Sequence, residues 1–379
     1  MRVTLVISGI ASGGAERVLS IMANHWAEHG EQVTLVTLDS AEHDFYALSP
    51  LINRIGLNMM ADSHGAGQAI RHSFARIRRL RKVIQGSQPD AVISFVDKIN
   101  VLVLMATRGL KVPVIVSERV DPRYYSIGRR WDLLRRITYP FADAVVVQTE
   151  GVKRWASSVA PRENVRVIPN PVEEPGPPTA GERIKMPEGP LVVAMGRLTL
   201  QKGFDLLLQA FKQCSESHAE WSLVLLGEGS ERANLEAKVL DLGLGDRVHF
   251  AGRVKEPAHL LRQADLFVLS SRFEGFPNAL LEAMACGMAV ISFDCPSGPR
   301  DIITNGTNGV LVPAEDVDGL GEAMGRLMTD SAERLRLGEQ AVRSLDRFQV
   351  GTIMSVWESV LAEVSKVSPS GTVASRPVR

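Results

Sequence analysis

The sequence predicts an α/β protein built from two tandem Rossmann-like, doubly wound domains with a ligand cleft between them. Short β-branched runs alternate with amphipathic helical patterns, as in parallel sheets that carry helices on both faces. The length of 379 residues suits about two domains. Residues 172–190 hold five prolines in a polar setting, which is typical of a linker. We expect domains at 1–171 and 190–349, a linker at 172–189, a terminal helix at 350–365 and a flexible tail at 366–379.

Each element is predicted from its local pattern. Buried parallel strands are short apolar runs, and amphipathic helices repeat apolar residues every three or four positions. The first domain has predicted strands at 3–7, 32–38, 91–95, 112–116, 144–148 and 165–171, and a helix at 13–29. The second has predicted strands at 191–195, 222–226, 248–251, 266–269 and 289–293, and helices at 204–217, 230–242 and 257–263, before a final helix at 353–364. Ligands of open α/β sheets bind at the carboxyl ends of the strands, so the loops after strands are the candidate sites.

Composition excludes several classes of function. Lys plus Arg and Asp plus Glu both number 43, so net charge does not indicate nucleic-acid binding. Residues 1–171 hold 22 basic against 15 acidic residues, and the rest of the chain carries the opposite imbalance, so the two halves suit different partners. Three cysteines are too few for a disulfide framework or a zinc site. We see no secretory signal and no apolar run of about 18 residues, and so expect a cytoplasmic chain without a membrane-spanning helix.

The loop at 9–17, GIASGGAER, follows the first strand and begins a helix. A dinucleotide fingerprint fails here, because Ala11 stands where a second glycine is needed, and Asp39 is better explained as a turn residue than as a ribose ligand. Gly13 and Gly14 suit an approach loop for an anion or a sugar, with Glu16 in the same turn. A tight turn without a ligand is the alternative.

Residues 71–82, RHSFARIRRLRK, hold six basic residues among apolar ones at helical spacing, and residues 131–137 extend the basic, amphipathic character. Helices of this kind lie on anionic membrane surfaces. The alternative is a solvated helix whose apolar stripe packs on its own sheet, and the sequence leaves both open.

Basic residues follow several strands of the second domain. Gly196 and Arg197 end its first strand, and Lys202 follows five residues later, a combination that suits a diphosphate. Gly229 lies in a turn after the next strand, where small residues keep a cleft open, although a turn without a ligand contact explains it too. Arg253 closes the third strand, and a solvated arginine is an equal alternative to a ligand contact.

The most specific segment is 272–287, RFEGFPNALLEAMACG, in which Glu274 and Glu282 stand eight residues apart. The proline suits a helix N-terminus and the last glycine a helix C-cap, so Glu274 precedes a helix that contains Glu282. Main-chain N–H groups at such a helix start can hold an anion, and the carboxylates can accept hydrogen bonds from hydroxyls. The loop residues predicted to face the ligand are Gly275, Phe276, Pro277, Asn278 and Ala279.

Two short motifs raise the possibility of a metal. Residues 25–29 spell H-x-x-E-H, an inverted zinc-peptidase motif, but no third ligand can be found and a helix C-terminus explains the histidines. Asp316 and Asp318 spell D-x-D, which helix capping explains better than a metal site. We therefore predict no metal and no cofactor.

Taken together, these motifs resemble the retaining GT-B glycosyltransferases of family 4 over nearly the whole chain. The resemblance implies that Arg197 and Lys202 hold the donor diphosphate, that Glu282 binds the ribose, and that Glu274 lies near the transferred sugar. It implies a nucleotide-sugar donor, most often UDP-linked, and an acceptor in the first domain. The GGAER start and the stretch with Glu118 and Arg119 look like bacterial enzymes that extend lipid-linked or capsular glycans, with a polyprenyl-diphosphate-linked or other glycan as acceptor. We therefore expect an enzyme peripheral to the cytoplasmic face of the inner membrane.

Two other functions are weighed against glycosyl transfer. A sugar-nucleotide epimerase has the same two-domain architecture and would need no acceptor. A non-catalytic sugar-nucleotide-binding scaffold would have no use for the charged site residues.

Overall fold

The structure, a computed structural model, describes residues 1–60, 66–176 and 186–366. The predicted tail beyond residue 366 and the middle of the predicted linker lie outside these ranges. The chain forms two compact units. The first, unit 1, contains Met1–Arg119, Ser126–Ile168 and the chain from Met354 onward, and the second, unit 2, contains Val120–Tyr125 and Pro169–Ile353. The predicted domain limits therefore need two corrections, because residues 120–125 pack with unit 2 and most of the terminal helix packs with unit 1.

Unit 1 is built on a seven-stranded sheet in the order β3-β2-β1-β4-β5-β6-β7. All neighbouring strands in it pair in parallel. The strands are β1 (Arg2–Ile7), β2 (Gln32–Thr37), β3 (Asn53–Gly56), β4 (Ala91–Phe95), β5 (Val114–Ser117), β6 (Ala144–Val147) and β7 (Val165–Val167). The edge strand β3 was not predicted, because its sequence NRIG has one strongly apolar residue. The last strand is shorter than predicted, because the prolines that follow cannot donate to the ladder.

The order of strands reverses between β1 and β4, which pair directly, with Val6 opposite Ser94. Ligands of doubly wound sheets bind at such a reversal, outside the carboxyl ends of the strands. The helices of the unit are α1 (Gly14–Glu28), α2 (Ala66–Ser87), α3 (Asp97–Thr107), α4 (Arg129–Thr138) and α5 (Glu150–Ala156). Apolar side chains of the sheet pack with those of α2, α3 and α5 in a buried core, against which α4 places partly buried residues.

Unit 2 repeats the architecture with a six-stranded parallel sheet in the order β10-β9-β8-β11-β12-β13. Its strands are β8 (Leu191–Met195), β9 (Ser222–Leu226), β10 (Val248–Gly252), β11 (Leu266–Leu269), β12 (Ala289–Asp294) and β13 (Val310–Pro313). The predictions for β8, β9 and β11 are confirmed to the residue. Its helices are α6 (Phe204–Ser215), α7 (Arg232–Asp241), α8 (Ala258–Leu261), α9 (Asn278–Ala285), α10 (Pro299–Ile302), α11 (Val317–Thr329) and α12 (Ser331–Arg343).

The terminal helix, α13 (Val350–Lys366), begins in unit 2 and continues in unit 1. Within unit 1 the Trp357 ring stacks on Phe95, the last residue of β4, with centroids 6.2 Å apart. In unit 2 the strand order reverses between β8 and β11. The loops after these two strands, at 196–203 and 270–277, therefore meet at the position where the fold favours a ligand.

Candidate functional site

Lys202 and Glu274 form an ion pair at this edge of unit 2. The Lys202 Nζ lies 2.6 Å from Glu274 Oε1, and the Ser271 hydroxyl donates to the same oxygen at 2.6 Å. Both charged side chains are largely buried, and the lysine stem runs against Gly196. The structure therefore brings together Lys202 and Glu274, which with Arg197 are the residues that the resemblance assigns to the donor diphosphate and the transferred sugar and that we expect to be catalytic.

Arg272 holds the two loops in register. Its guanidinium donates to both carboxylate oxygens of Asp205 at 2.8 Å and to the Leu200 carbonyl at 2.7 Å. Gln201 completes the connection by donating to the Phe273 carbonyl at 3.0 Å. The pKa of the Asp205 carboxyl is lowered, chiefly by the hydrogen bond from Arg272. Bidentate pairs of this geometry are the strongest ionic contacts in proteins, so the loops carrying Lys202 and Glu274 are rigidly joined.

Three glycines allow the strand-end loops to approach one another. Gly203 has φ +62°, and a Cβ there would overlap the Ser270 carbonyl oxygen. A Cβ on Gly227 would overlap the Gly196 carbonyl, and one on Gly229 would overlap the Leu198 carbonyl. The glycine at 229 is thus required by backbone packing, which supports the turn explanation for that residue.

The segment 272–287 folds as predicted around the start of α9. Gly275, Phe276 and Pro277 precede the helix, and Glu282 is half-buried on its second turn. The ring of Phe276 packs in the core against Phe348, with ring centroids 5.6 Å apart, which leaves its main chain for the predicted ligand contact. Asn278 and Ala279 open the helix and are half-buried, which leaves both accessible.

The other two predicted arginines are exposed. Arg197 follows β8 and lies next to Gly196, against which the Lys202 stem packs. Its side chain forms no ion pair with any residue that the structure describes, so its charge is available to an anion. Arg253 follows β10 and is exposed in the same way, which leaves its role as a ligand or a solvated residue a prediction.

Sequence analysis missed the residues that support this site. Asn170 is buried and donates to the Asn278 side-chain oxygen at 2.6 Å, which ties the segment before the linker to the start of α9. The Ser297 hydroxyl donates to the Gly275 carbonyl at 3.3 Å, and Gly298 packs on Pro277. The proline-flanked asparagine at 170 was the one local signal for this support.

In unit 1 the predicted glycine loop begins α1. Gly13 is the residue before the helix, and a Cβ on it would overlap the Glu16 carboxylate, which folds back toward the helix start. Tyr46, which sequence analysis did not consider, donates from its hydroxyl to the Gly13 carbonyl at 3.3 Å. Gly14 is exposed as the first helical residue. The role of this turn as an approach loop for an anion or a sugar stays a prediction.

Glu118 is a correction to the predicted substrate-binding set. Its side chain is 2% exposed, and its Oε1 accepts hydrogen bonds from Arg135 at 3.1 Å and from the Tyr139 hydroxyl. Burial raises the pKa of the Glu118 carboxyl, an effect that Arg135 opposes. Glu118 therefore holds α4 and the following turn to the sheet and does not reach a ligand.

Arg119 lies over the Phe95 ring, with its guanidinium carbon 3.6 Å from the ring centroid. Burial lowers the pKa of the Arg119 guanidinium well below its ordinary value. Its role in substrate binding stays a prediction.

The predicted basic region, 71–82, lies within α2. Leu80 is fully buried and Ile77 packs against the core, so this apolar stripe faces its own unit, as the solvated-helix alternative requires. Phe74 is the exception and is exposed.

A different apolar stripe is exposed on α4 and the turn after it. Leu133, Ile137 and Phe141 recur every four residues, and each is more than half exposed. The Arg108 guanidinium covers the Phe141 ring, 3.7 Å from its centroid, and several other arginines of α4 are exposed.

The structure places both predicted metal motifs at helix ends. His25 and His29 stack on each other with ring centroids 4.0 Å apart at the end of α1, and Asp316 caps α11 by accepting from Gly319 N at 3.0 Å. No group of three or more His, Cys, Asp or Glu side chains that could hold a metal is found in the part of the chain that the structure describes. Over the same residues, no helix is long and apolar enough to cross a membrane.

Two family models match the chain, "Glycosyl transferase 4-like domain" over residues 13–171 and "Glycosyl transferases group 1" over residues 182–344. The lipopolysaccharide core biosynthesis glycosyltransferase LpsE of Rhizobium meliloti is 30% identical over 340 residues, which are 88% of this chain and 91% of LpsE. An α-1,4-N-acetyl-D-galactosaminyltransferase of Campylobacter jejuni, named for a diNAcBac-PP-undecaprenol-linked GalNAc substrate, is 29% identical over 96% of this chain and 99% of its own.

Solved structures show the same fold. A sucrose-phosphate synthase from Thermosynechococcus elongatus superposes with a TM-score of 0.83 at 20% identity, covering 96% of this chain and 99% of the other. Anabaena HepE in complex with UDP superposes with a TM-score of 0.72 at 18% identity, covering 96% and 100%. The fold is GT-B, and fold and family models together define a glycosyltransferase. The chain belongs to the glycosyl transferase group 1 family.

Proposed function

We propose that unit 2 binds a nucleotide-sugar donor and that Lys202 and Arg197 hold its diphosphate. The observation that carries this proposal is the Lys202–Glu274 pair at the β8/β11 reversal, with the exposed Arg197 beside it. A bound diphosphate would share the lysine charge with Glu274. Glu282, on the second turn of α9, is assigned to the ribose hydroxyls and Glu274 to hydroxyls of the transferred sugar. Arg253 is proposed as a further donor contact.

The proposed reaction retains configuration at the sugar and uses neither a metal nor a protein nucleophile. Charge grows on the diphosphate as the glycosidic bond breaks, and Lys202 and Arg197 stabilise it electrostatically. The departing diphosphate oxygen takes the proton of the acceptor hydroxyl, which attacks from the same face. The rigid joint through Arg272 keeps the lysine in place without reorganisation during the reaction.

Relatives suggest the donor and acceptor classes. HepE was solved with UDP, and the Campylobacter jejuni relative is named for a polyprenyl-diphosphate-linked glycan. We infer that this chain transfers a hexose or N-acetylhexosamine from a UDP-sugar to a lipid-linked glycan in bacterial envelope polysaccharide assembly. Unit 1 takes the acceptor at its β1/β4 reversal, where Gly13, Gly14 and Glu16 lie.

The test measures UDP release and product formation across a donor panel with an acceptor mixture of lipid-linked glycans. Lys202→Ala and Glu274→Ala should each lower kcat by about 10²-fold or more, because each removes a preorganised electrostatic contact. Glu236→Ala, an exposed carboxylate on α7, is the control and should keep full activity. Full turnover by both site variants would refute the assignment, and donor turnover without acceptor to an epimerised sugar would identify an isomerase.

We further propose that the enzyme associates with the cytoplasmic face of the inner membrane through unit 1. The exposed stripe of Leu133, Ile137 and Phe141, bordered by arginines, supports this better than the buried stripe of α2 does. Basic amphipathic surfaces bind anionic bilayers by apolar insertion and by charge. Leu133→Glu with Ile137→Glu should abolish sedimentation with phosphatidylglycerol vesicles, and salt should weaken the wild-type binding. Equal sedimentation of wild type and variant would overturn this proposal.

A further inference from the structure

A carboxylate that was not among the predicted site residues follows β4, at the reversal of strand order in unit 1. Asp97 follows β4 by two residues, and β4 is one of the two strands at which the sheet order reverses. The loop after β1, with Gly13 and Glu16, follows the other strand. The inference here rests on the proposed binding of the acceptor in unit 1, and it concerns the chemistry of that site.

The backbone that presents Asp97 is strained and fixed. Val96 has φ +74°, a left-handed conformation that a β-branched residue rarely adopts. Its N–H donates to the Ser117 carbonyl at 3.1 Å, and its carbonyl accepts from Asn100 N at 2.9 Å. The Asn100 side chain donates to the Ser117 carbonyl at 3.0 Å. Strain held in place by surrounding contacts is typical of functional sites.

The Asp97 carboxylate is half-buried and has no salt-bridge partner among the residues that the structure describes. Its Oδ1 accepts from the N–H of Lys98 at 2.5 Å. Burial raises the pKa of the Asp97 carboxyl, and the hydrogen bond from the Lys98 N–H and the charges of Arg135 and Lys98 oppose that effect only in part. Arg135 is engaged elsewhere, because it donates to Glu118 at 3.1 Å and to Asp132 at 3.0 Å. Burial of the carboxylate thus outweighs its favourable contacts, which points to a ligand whose hydroxyls supply further donors.

The chemistry of that ligand follows from the groups at this edge. Glu16 places a second carboxylate beside Gly13, in the loop after the neighbouring strand. Carboxylates accept hydrogen bonds from hydroxyls and repel phosphate. We propose that Asp97 binds hydroxyls of a neutral sugar at the reacting end of the acceptor. The acceptor then already carries a sugar, and the reaction that supplies it is a glycosyl or sugar-phosphate transfer onto the lipid carrier.

Asp97→Asn tests this proposal, with Lys111→Gln, an exposed lysine of unit 1 before β5, as the control. The probes are a panel of neutral methyl glycosides, assayed by saturation-transfer NMR on the full chain and as acceptors in UDP-sugar turnover. Asp97→Asn should weaken glycoside binding and raise the acceptor KM by about ten- to a hundredfold, the loss of a hydrogen bond to a charged group. Donor KM and slow donor hydrolysis without acceptor should be unchanged in Asp97→Asn, and Lys111→Gln should change none of these quantities.

Thermal unfolding distinguishes a binding role from a structural one. Because burial disfavours the charged Asp97, the asparagine variant should have an unchanged or higher Tm at neutral pH, whereas loss of a structural residue lowers it. Three results would overturn the proposal. The acceptor KM could be unchanged in Asp97→Asn, or the wild type could bind none of the glycosides. In the third, inorganic pyrophosphate displaces the glycosides from the wild type, and Lys98→Gln removes that competition. Failure of the proposed function gives a different result, namely no donor turnover in the wild type itself.

Discussion

Replacement of Lys202 by Met removes the positive charge beside Glu274 and keeps the length of the side chain that packs on Gly196. The pair is 15% and 6% exposed, with charged atoms 2.6 Å apart. At an effective dielectric constant of about 20, their attraction is about 6 kcal/mol, much of it offset by the desolvation of both ions. Among the residues that the structure describes, breaking such a pair leaves the buried carboxylate with the Ser271 hydroxyl as its remaining side-chain partner. The free energy of unfolding of unit 2 should fall by about 3–5 kcal/mol.

The measurement has to report on unit 2 by itself, since a two-unit chain need not unfold in one step. Trp221 is buried and is the one tryptophan of the five that lies in unit 2. Urea unfolding of fluorotryptophan-labelled protein, followed at the Trp221 resonance, isolates that unit. Lys202→Met is compared with Glu274→Gln and with the double variant.

The free energy of unfolding should fall less in the double variant than the two single losses would add up to, by about 2 kcal/mol or more. The reason is that the second substitution removes the unpaired charge that the first one leaves. It should remain inactive, since the donor diphosphate still lacks its lysine. Lys212→Met is the matched control, because its pair with Glu216 is exposed and should contribute at most about 0.5 kcal/mol. Additive losses within about 0.5 kcal/mol, or a normal kcat in Lys202→Met, would refute the reasoning.

Two further outcomes are expected. Gly203→Ala should destabilise unit 2 by clearly more than Gly243→Ala, which costs about 1–2 kcal/mol for its left-handed backbone. The two glycines have similar φ values, +62° and +67°, but only at Gly203 would the added Cβ overlap a carbonyl oxygen, that of Ser270. Equal losses of Tm in the two variants would show that the contact between Gly203 and Ser270 is not tight. The pKa of His43 should lie above its ordinary 6.5, because Asp39 accepts a hydrogen bond from its ring at 3.0 Å. The contribution of the His43–Asp39 pair to folding stability is then fully present below pH 6.5 and is lost as pH rises through the raised pKa of His43. In an NMR titration, the Asp39→Asn variant should return the midpoint of His43 toward 6.5.

Local patterns predicted the parallel strands well, because a strand buried on both faces is an uninterrupted apolar run. They failed for β3, a polar edge strand, for β13, the edge strand of unit 2, and for the extent of the strand before the prolines at 169 and 171. Part of the candidate site could also be predicted from local sequence. Lys202 and Glu274 were found because each is a charged residue in a loop after a strand, where open α/β sheets bind ligands.

Side chains whose environment depends on distant residues could not be predicted. Glu118 stands in a loop after a strand, as Glu274 does, yet Arg135 and Tyr139 from the following helix and turn bury it. Asp97 was missed for the opposite reason. Nothing in its local sequence marks it, and its importance lies in the strained backbone at Val96 and in the commitment of Arg135 to other carboxylates.

The sequence by itself determined that the chain forms two parallel-sheet units, and it located the loops that carry charged groups, because burial and backbone preference act through neighbouring residues. The tertiary structure decided which charged groups meet. Lys202 and Glu274 are 72 residues apart. Their contact depends on the reversal of strand order between β8 and β11 and on the hydrogen bonds by which Arg272 joins the two loops. Electrostatic interactions depend on distance and desolvation in three dimensions, and neither quantity can be obtained from separation along the chain.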